Sequence, residues 1–576
     1  MFTLLPPSSE VFERLRWSEI EPWYGELTAT RLSQETLQPW LAQWSRLSEL
    51  VDETMVRQEI AVTQNTLDGE RANRRRHFLA EIYSQTQSSD QQLKQQLVAS
   101  GLEPENFLIP LRNLRAEEVL FREVNLPLLN KEQDLVVEFM RIGGMQTVMW
   151  EGQEVNIASL EPLLSDPNRE QRERAWRVMH QRQLADRDAM NALWTKGMHL
   201  RQQIAHNAGY DTYRDYRWQQ LFRFDYTPAD CQTFCEAVEQ VIVPAAQDVW
   251  EKRRKLLGVK TLRPWDLVVD PRRKGDPHLF SDVPAAIQQA TTAFGFIDPQ
   301  VQSYFETMLQ EHLIDMEERP VKAYRGYCVT LEATHRPFLF GEVQSLWDLV
   351  FTLFHESGHA FHTFEMRHLP YIQQRKESFV PVEFAEVAST SMEVIGAMYL
   401  HQAGFCTQRE EDQLRLRQLE RILTQLLPQS ACGDAFQQWV YTHPEQAMNP
   451  EACDHKWVEL SGRYMPSIDW SGLDAELRAE WQQVRHFYGY PFYYIEYAFA
   501  ALGALQVWRN YLQNPHGAMQ KYRSALALGA TKTVPELFAA AGATFSFDAA
   551  TLQETLQVVT QTVTELETRA EDLSHS

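Results

Sequence analysis

The chain has 576 residues, of which 44% are hydrophobic and 23% are charged, close to the composition of an average globular protein. At roughly 100–200 residues per domain, this length allows several domain equivalents and a large buried core. Acidic residues outnumber basic ones by 78 to 55, and the formal net charge is −23 with neutral histidines. Because such a charge repels nucleic-acid phosphates, we expect a soluble, globular protein with no nucleic-acid partner.

No segment of the sequence predicts secretion or membrane insertion. The N-terminal residues MFTLLPPSSEVFERLRW lack a basic region followed by an apolar stretch, so no secretory signal is expected. The most apolar run, from Ala498 to Trp508, is shorter than the roughly 20 residues that a membrane-spanning helix needs. The spacing of the six cysteines indicates ordinary reduced thiols. We therefore expect a cytoplasmic protein that does not bind membranes.

Most of the sequence has helical periodicity, so the predicted fold is mainly α. Apolar residues from Leu37 to Met55 recur at steps of three and four residues, which indicates one face of an amphipathic helix. A similar pattern runs from Leu416 to Leu427, and Pro428 is predicted to end that helix. Near the C-terminus, Thr533 and Glu536 form the capping-box pattern T-x-x-E, which predicts the start of another helix.

Patterns typical of strands are few. The segment from Tyr324 to Phe340 is rich in β-branched and aromatic residues and predicts a hairpin or an edge strand. A shorter strand is predicted between Thr147 and Ile157. The prolines between Gly258 and Pro277 predict the longest loop.

The most informative segment is LWDLVFTLFHESGHAFHTF, residues 346–364, which contains the pattern H-E-x-x-H. On a helix, His355 and His359 share a face, so both imidazoles can bind one Zn²⁺ while Glu356 lies beside the vacant position. The metal lowers the pKa of its bound water to about 7, and Glu356 can take the proton of that water as a general base.

The residues around this pattern support a metal site over a chance pair of histidines. A polar stripe at steps of four and three residues follows an otherwise apolar helix and consists of Asp348, Thr352, His355, His359 and His362. A helix that is buried nearly all round needs partners for such ionisable groups. A metal ion would provide one.

A third protein ligand is predicted in the segment PVEFAEVASTSMEVIGAMYL. There Glu383, Glu386 and Glu393 fall on one helical face. Glu386 is the preferred ligand, and Glu393 is a candidate hydrogen-bond partner for a ligand histidine. Glu377 is an alternative ligand at a spacing close to that of some zinc exopeptidases. It is less favoured because it lies in the stretch QQRKES, which is predicted to be a solvated loop.

A tyrosine-rich segment, WQQVRHFYGYPFYYIEYAFAALGALQVW, follows further along the chain. Its polar aromatic residues are His486, Tyr488, Tyr490, Tyr493, Tyr494 and Tyr497. Peptide hydrolysis builds a tetrahedral oxyanion that needs hydrogen-bond donors, which tyrosine hydroxyls and a histidine N–H can supply. Aromatic clusters are also common in cores, so the residues alone leave both interpretations open.

Together these motifs resemble the M3 family of metallopeptidases, which includes thimet oligopeptidase and oligoendopeptidase F. The chain is most similar to the compact oligoendopeptidase F and Pz-peptidase branch. HESGHAFH resembles the family's HExGHAxH, FAEVASTSME its third-ligand segment and HFYGYPFYYIEY its substrate segment. By this match, Glu386 is the third zinc ligand. His486, Tyr490 and Tyr497 fall on the positions that bind the substrate carbonyl and stabilise the oxyanion.

The resemblance implies a two-lobed helical shell around a deep substrate channel, with a small β-sheet beside the zinc helix. We divide the chain into an N-terminal helical region, residues 1–190, which forms part of one lobe, and a catalytic helical domain, residues 191–576. The implied activity is zinc-dependent hydrolysis of internal bonds in short oligopeptides, with one Zn²⁺ per chain. The strand at Tyr324 to Phe340 would line the channel and pair with extended substrate.

Two alternatives stay open at this point. The first is a zinc exopeptidase, which would cleave peptides with free ends and leave end-blocked peptides intact. The second is a helical peptide-binding or scaffolding protein whose metal site is structural or lost. The sequence does not predict the oligomeric state.

Overall fold

The computed structural model describes residues 3–272, 279–323 and 326–575, with side chains to residue 569 in the last helix. Helices dominate, as predicted for a mainly α protein. By the contacts between its residues the chain forms two compact units. Unit 1 is Met1–Glu118, Asp276–Arg415 and Ala500–Phe545, and unit 2 is Val119–Gly275, Leu416–Phe499 and Ser546–Ser576. The sequence division at residue 190 follows another criterion and stays a prediction.

Unit 1 is built mainly from helices that bury one apolar face. The helix predicted from residue 37 onwards is the longest of them, and it buries Trp40, Leu41, Trp44 and Leu47 at helical spacing. The main helices of unit 1 are Trp17–Ala29, Leu37–Gln64, Gly69–Phe78, Ser84–Ser100, Val283–Ile297, Pro299–Gln310, His355–Met366, Val382–Gly396, Pro515–Leu526 and Val534–Ala540.

Unit 2 is also helical. Its main helices are Leu126–Gly144, Arg169–Ala185, Arg187–Asn207, Tyr213–Gln220, Pro228–Ala237, Val243–Leu256, Leu427–Thr442, Pro450–Tyr464 and Ala549–His575. Three further helices contain the residues at which the division between the units falls: Leu108–Leu120, Gln408–Arg421 and Tyr494–Gln513. None of the helices in the described part of the chain is long and apolar enough to span a membrane.

The capping box predicted near the C-terminus is present. The Thr533 hydroxyl accepts a hydrogen bond from the backbone N–H of Glu536, and the Glu536 carboxylate accepts one from the Thr533 N–H at 2.9 Å. These reciprocal bonds satisfy backbone donors that have no partner within the helix. The prediction of this helix start is therefore confirmed.

The prediction that Pro428 ends a helix is wrong. The helix Gln408–Arg421 leads through a π-helical turn, Ile422–Leu426, directly into the helix Leu427–Thr442, and Pro428 lies in the first turn of the latter. A proline is tolerated in a first turn because its missing N–H has no required partner there. Because the π-helical turn ends at Leu426, a new α-helix begins at Leu427, and Pro428 lies in its first turn although the segment is helical throughout.

A three-stranded sheet in unit 1 confirms the predicted hairpin. Its central strand, Arg336–Phe340, pairs in antiparallel register with Tyr327–Leu331 and in parallel with Ile314–Asp315. Tyr327–Leu331 lies at one side of the sheet and is called the edge strand below. Tyr324, where the predicted strand begins, lies outside the described residues.

The other strand and loop predictions are also borne out within the described residues. In unit 2, Thr147–Trp150 and Gln153–Asn156 form an antiparallel hairpin. The loop predicted from Gly258 contains one short 3-10 turn, Pro264–Asp266, and residues 273–278 lie outside the described part of the chain. The structure has no disulfide between the cysteines that it describes.

The segment that contains H-E-x-x-H is helical throughout but changes its geometry along its length. It begins at a capping box in which the Asp348 carboxylate accepts from the Ser345 N–H at 2.9 Å. A π-helical turn, Leu349–Phe354, follows, and the α-helix His355–Met366, called the HExxH helix below, comes next. This helix packs against the edge strand and its partner strand. The small sheet therefore lies beside the HExxH helix, as the sequence predicted.

Candidate metal centre

Two helices of unit 1 carry the predicted metal ligands: the HExxH helix and Val382–Gly396, called the acidic helix below. Gly358 explains how closely they approach each other. A Cβ at this position would lie 2.5 Å from the carbonyl oxygen of Ala388 and 2.5 Å from the Cα of Ser389. Because no side chain fits there, the glycine inside H-E-x-x-H allows the acidic helix to pack directly on the HExxH helix.

The structure brings together the three predicted ligands. The ligand atoms of His355, His359 and Glu386 all lie within 4.8 Å of one another. His355 Nε2 is 3.5 Å from Glu386 Oε2, and His359 Nε2 is 3.7 Å from the same oxygen. Two atoms bound at 2.0–2.1 Å to a tetrahedral ion are separated by about 3.4 Å. The donor set and its spacing therefore fit a tetrahedrally coordinated divalent metal ion.

Two further residues hold these ligands in place. His355 Nδ1 donates a hydrogen bond to Glu393 Oε1 at 2.6 Å, which leaves the lone pair of Nε2 available for a metal. The Ser389 hydroxyl donates to Glu386 Oε2 at 2.9 Å. The partnership of Glu393 with a ligand histidine was predicted from the spacing along the helix. Ser389 was missed, because nothing in the sequence distinguishes it from the other small polar residues of this segment.

The charges of the site favour a cation. Burial alone lowers the pKa of His355, whereas the hydrogen bond to Glu393 and the charges of Glu393 and Glu386 raise it, because these carboxylates favour a positive charge at the ring. Burial lowers the pKa of His359. Three carboxyl groups, including that of Glu356, thus surround two imidazoles. Such a site gains electrostatic stabilisation when it binds a positive charge.

Glu356 lies between the metal ligands and the edge strand. Burial raises the pKa of its carboxyl group to about 7, while a hydrogen bond from the backbone N–H of Cys328 in the edge strand acts in the opposite direction. A Cβ on Gly326 would come 3.7 Å from Glu356 Oε1, an ordinary van der Waals distance, so the carboxylate lies beside this segment of backbone. A carboxyl group with a pKa near neutrality is suited to accept and return a proton.

The polar stripe predicted along the HExxH segment does not act as one unit. Asp348 caps the segment, and His362 is buried, with its ring near Phe384. Burial and the charge of His359 lower the pKa of His362 to about 3, so its ring is neutral. The group of potential metal ligands in the described residues contains neither Asp348 nor His362.

The stretch QQRKES is only in part the solvated loop that the sequence predicted, because Glu377 and Ser378 are exposed but the residues before them are not. Gln373, Gln374 and Arg375 are buried, the Arg375 guanidinium forms an ion pair with Glu49, and its Nε lies 3.3 Å from a carboxyl oxygen of Glu332. These partners come from distant segments, so the residue pattern could not show them. Glu377, the alternative ligand, is exposed. Among the described residues it does not belong to the group of potential metal ligands.

The residues predicted to bind substrate form an aromatic cluster in unit 2. The ring of His486 lies 5.7 Å from that of Tyr497 and 6.2 Å from that of Tyr490, and the Tyr497 hydroxyl is 3.4 Å from His486 Nε2. The hydroxyl of Tyr490 accepts a hydrogen bond from Arg485, a residue that the sequence analysis did not single out. Burial, with a contribution from the charge of Arg485, lowers the pKa of His486 to about 4. The imidazole is therefore neutral at pH 7.

Comparison with known proteins places these motifs in a family. The family model described as "Peptidase family M3" matches residues 162–556. The chain belongs to peptidase family M3. The matched residues include both the ligand group in unit 1 and the aromatic cluster in unit 2.

Individual M3 relatives agree with this assignment. The chain is 25% identical over 318 residues to "Oligoendopeptidase F, plasmid" of Lactococcus lactis subsp. cremoris. This match covers 53% of this chain and 49% of the relative. It is 26% identical over 245 residues to "Oligopeptidase PepF" of Bacillus subtilis, covering 41% of this chain and 34% of that protein. The matches span about half the length of the relatives or less.

A solved structure, "PZ PEPTIDASE A with inhibitor 2", resembles this M3 chain over nearly its whole length. The TM-score is 0.85 at 22% sequence identity, and the match covers 96% of this chain and 98% of the other. At this identity the likeness shows the fold alone. It confirms the predicted fold class, a mainly helical M3 peptidase fold.

Proposed function

We propose that this M3 chain is a zinc-dependent endopeptidase that hydrolyses internal bonds of short peptides. The observation that carries the proposal is the convergence of His355, His359 and Glu386 at separations that suit a tetrahedral ion, with Glu356 beside them. The names of the relatives, oligoendopeptidase F and oligopeptidase PepF, support short peptides as the substrate class. A cytoplasmic location and the lack of a nucleic-acid partner stay predictions.

His355, His359 and Glu386 would hold the Zn²⁺. When bound, this ion acidifies a water molecule and polarises the scissile carbonyl. Glu393 keeps His355 in the tautomer with a free Nε2, and Ser389 orients the carboxylate of Glu386. Both interactions reduce the freedom of the ligands before the metal binds.

Glu356 acts as the proton carrier in this proposal. Its carboxylate takes a proton as the water attacks the peptide carbonyl and returns the proton to the leaving amine. Burial raises the pKa of this carboxyl group, which favours uptake of the proton. The hydrogen bond from the Cys328 N–H keeps the carboxylate next to the edge strand, where an extended peptide would lie.

Substrate binding is proposed to use backbone and aromatic groups. The edge strand pairs with Arg336–Phe340 on one side only among the described strands, so its other side offers backbone groups to an extended peptide, apart from the Cys328 N–H, which donates to Glu356. His486, Tyr490 and Tyr497 are proposed to donate hydrogen bonds to the developing oxyanion. The neutral state of His486 supports this role, since one ring nitrogen then donates while the other accepts.

The proposal is tested with an end-blocked, internally quenched oligopeptide and a measurement of zinc content. Glu356→Gln should retain zinc and lose roughly 10²- to 10⁴-fold in turnover, because only the proton carrier is removed. Glu386→Gln should lose zinc, and Glu377→Gln, at the alternative ligand position, should keep it. Equal turnover by wild type and Glu356→Gln would contradict the proposal. Cleavage only of peptides with free ends would favour the exopeptidase alternative.

A further inference from the structure

Residues 485–493, called the aromatic turn below, consist of a helix of five residues and the irregular segment that follows it in unit 2. The aromatic turn carries His486 and Tyr490, and Tyr497 lies just after it in the next helix. Tyr490 is 40% exposed, so the packing of its side chain holds it only in part. A helix of five residues is also too short to be stable by itself. Contacts from elsewhere must therefore fix the backbone that carries these side chains.

Arg201 binds the end of the short helix. The last carbonyl groups of a helix have no partner within it. Two of them, those of Phe487 and Tyr488, accept hydrogen bonds from the Arg201 guanidinium, the former at 3.1 Å. Arg201 is 1% exposed, and Glu132 balances its charge through an ion pair at 2.8 Å. Because the guanidinium is planar and held by several partners, it fixes the residues that directly follow His486.

Two further arginines bind the irregular part of the aromatic turn. Arg217 Nε donates to the carbonyl oxygen of Pro491 at 3.3 Å. Arg223 donates to the carbonyl oxygen of Phe492 at 2.6 Å and forms a buried ion pair with Glu496 in the next helix. Four carbonyl groups of the aromatic turn therefore have an arginine as their hydrogen-bond donor. The residues that provide these donors, called the arginine clamp below, are Arg201, Arg217 and Arg223.

The conformation of Phe492 shows that the surrounding contacts impose the shape of the aromatic turn. Its φ is +68°, a value that a bulky residue other than glycine rarely adopts. The side chain is fully buried, and the backbone N–H donates to Gln437 Oε1 at 2.7 Å while Arg223 binds the carbonyl group. Such a conformation persists only where the surrounding structure determines it, and it is typical of functional sites. The clamp and Gln437 therefore hold a backbone that the turn would not adopt by itself.

We propose that Arg201, Arg217 and Arg223 are positioning residues for peptide hydrolysis, an inference that rests on the function proposed above. By binding the carbonyl groups before and after Tyr490, they hold its hydroxyl and the ring of His486 where the developing oxyanion needs donors. A catalytic group that moves by about 1 Å can lose roughly 10²-fold in rate. Because the oxyanion exists only during the reaction, its donors act on kcat more than on the affinity for the peptide.

The experiment measures kcat and KM of the full-length zinc-loaded protein, Arg217→Met and Arg214→Met with an end-blocked, internally quenched oligopeptide. Arg214 is the matched control, because both arginines are half-buried on the helix Tyr213–Gln220, but Arg214 donates to Gln438. We expect Arg217→Met to lose about tenfold in kcat with KM within about twofold, and Arg214→Met to keep both values within about twofold. The melting temperatures of the two variants should be similar. An equal loss of kcat in both variants, or a loss in neither, would overturn the proposal.

A double-mutant cycle determines whether Arg217 acts through Tyr490. Tyr490→Phe removes the hydroxyl, so the addition of Arg217→Met to this variant should lower kcat by less than about twofold. Losses that multiply would overturn the proposal, because they would indicate an effect independent of the hydroxyl. Wild type that does not cleave the peptide would contradict the proposed function itself. Cleavage with equal kcat by wild type and Arg217→Met would contradict the clamp alone.

Discussion

Gly358 lies in backbone contact with Ala388, so closely that a Cβ on the glycine would be 2.5 Å from the Ala388 carbonyl oxygen. The same carbonyl oxygen accepts a hydrogen bond from the Tyr522 hydroxyl at 2.8 Å, which limits how far it can move away. Gly358 lies in the sequence between the predicted ligands His355 and His359. Ala388 lies two residues after the third predicted ligand, Glu386. The close packing of the two helices at Gly358 therefore contributes to the separation of the ligands.

We expect Gly358→Ala to lose at least tenfold in zinc affinity and most of its peptidase activity, because the added methyl group must push the acidic helix away from the histidines. The measurements are zinc content after dialysis and turnover of a quenched peptide. Gly462→Ala is the control, since Gly462 is an exposed helical glycine with open space around the position that a Cβ would take. That variant should be stabilised by about 0.5–1 kcal/mol. Full zinc binding by Gly358→Ala would show that the helices can separate without cost.

Glu393→Gln should weaken zinc binding about 10- to 100-fold while the fold is retained. The variant keeps the size of the side chain but loses the negative charge that accepts from His355 Nδ1 at 2.6 Å. Competition with a zinc-binding dye measures the affinity, and circular dichroism checks the fold. If Glu393→Gln bound zinc as tightly as wild type, the hydrogen bond to His355 would have no part in preparing the ligand.

The local signals in the sequence were sufficient to identify the family, the helices and the hairpin beside the metal centre. H-E-x-x-H and Glu386 could be predicted because the chemistry requires specific residue types at helical spacing. The capping box at Thr533 could be predicted because both of its partners lie within one turn. Each of these features depends on residues that are close together in the chain.

Features that depend on distant contacts could not be predicted. The π-helical turn before Pro428 shifts the backbone hydrogen bonds so that the proline falls in a first helical turn. No residue pattern in the sequence indicates this turn. The polar residues at 373–375 looked solvated, yet Glu49 and Glu332 from other segments provide buried partners for Arg375. Gly358 belongs to a recognisable motif, but only the position of Ala388 shows why a glycine is required there.

Tyr497→Phe should reduce kcat about 10²- to 10³-fold with little change in KM, if its hydroxyl stabilises the oxyanion as proposed. The hydroxyl lies 3.4 Å from His486 Nε2, and its removal leaves the ring and the packing in place. Tyr494→Phe is the matched control, because its ring also lies near His486, at 5.2 Å, but it has no proposed role in catalysis. Equal losses in the two variants would indicate a structural role for the whole cluster.

The buried carboxyl group of Glu332 should make the stability of the protein depend on pH in the neutral range. Burial raises its pKa from the ordinary value of 4.5 to about 8, although the charge of Arg375 opposes this shift. A group whose pKa is raised in the folded state contributes stability that is fully present below pH 4.5 and is lost as the pH rises through about 8. Glu332→Gln lacks this contribution.

We therefore expect the melting temperature of wild type to fall relative to that of Glu332→Gln between pH 5 and pH 9, as measured by scanning calorimetry. Glu311→Gln is the control, because a hydrogen bond from Arg336 lowers the pKa of Glu311 and places its titration below this window. That variant should keep the wild-type slope between pH 5 and pH 9. An identical slope in Glu332→Gln and wild type would contradict the prediction, because it would mean that Glu332 is already ionised at pH 5 beside Arg375.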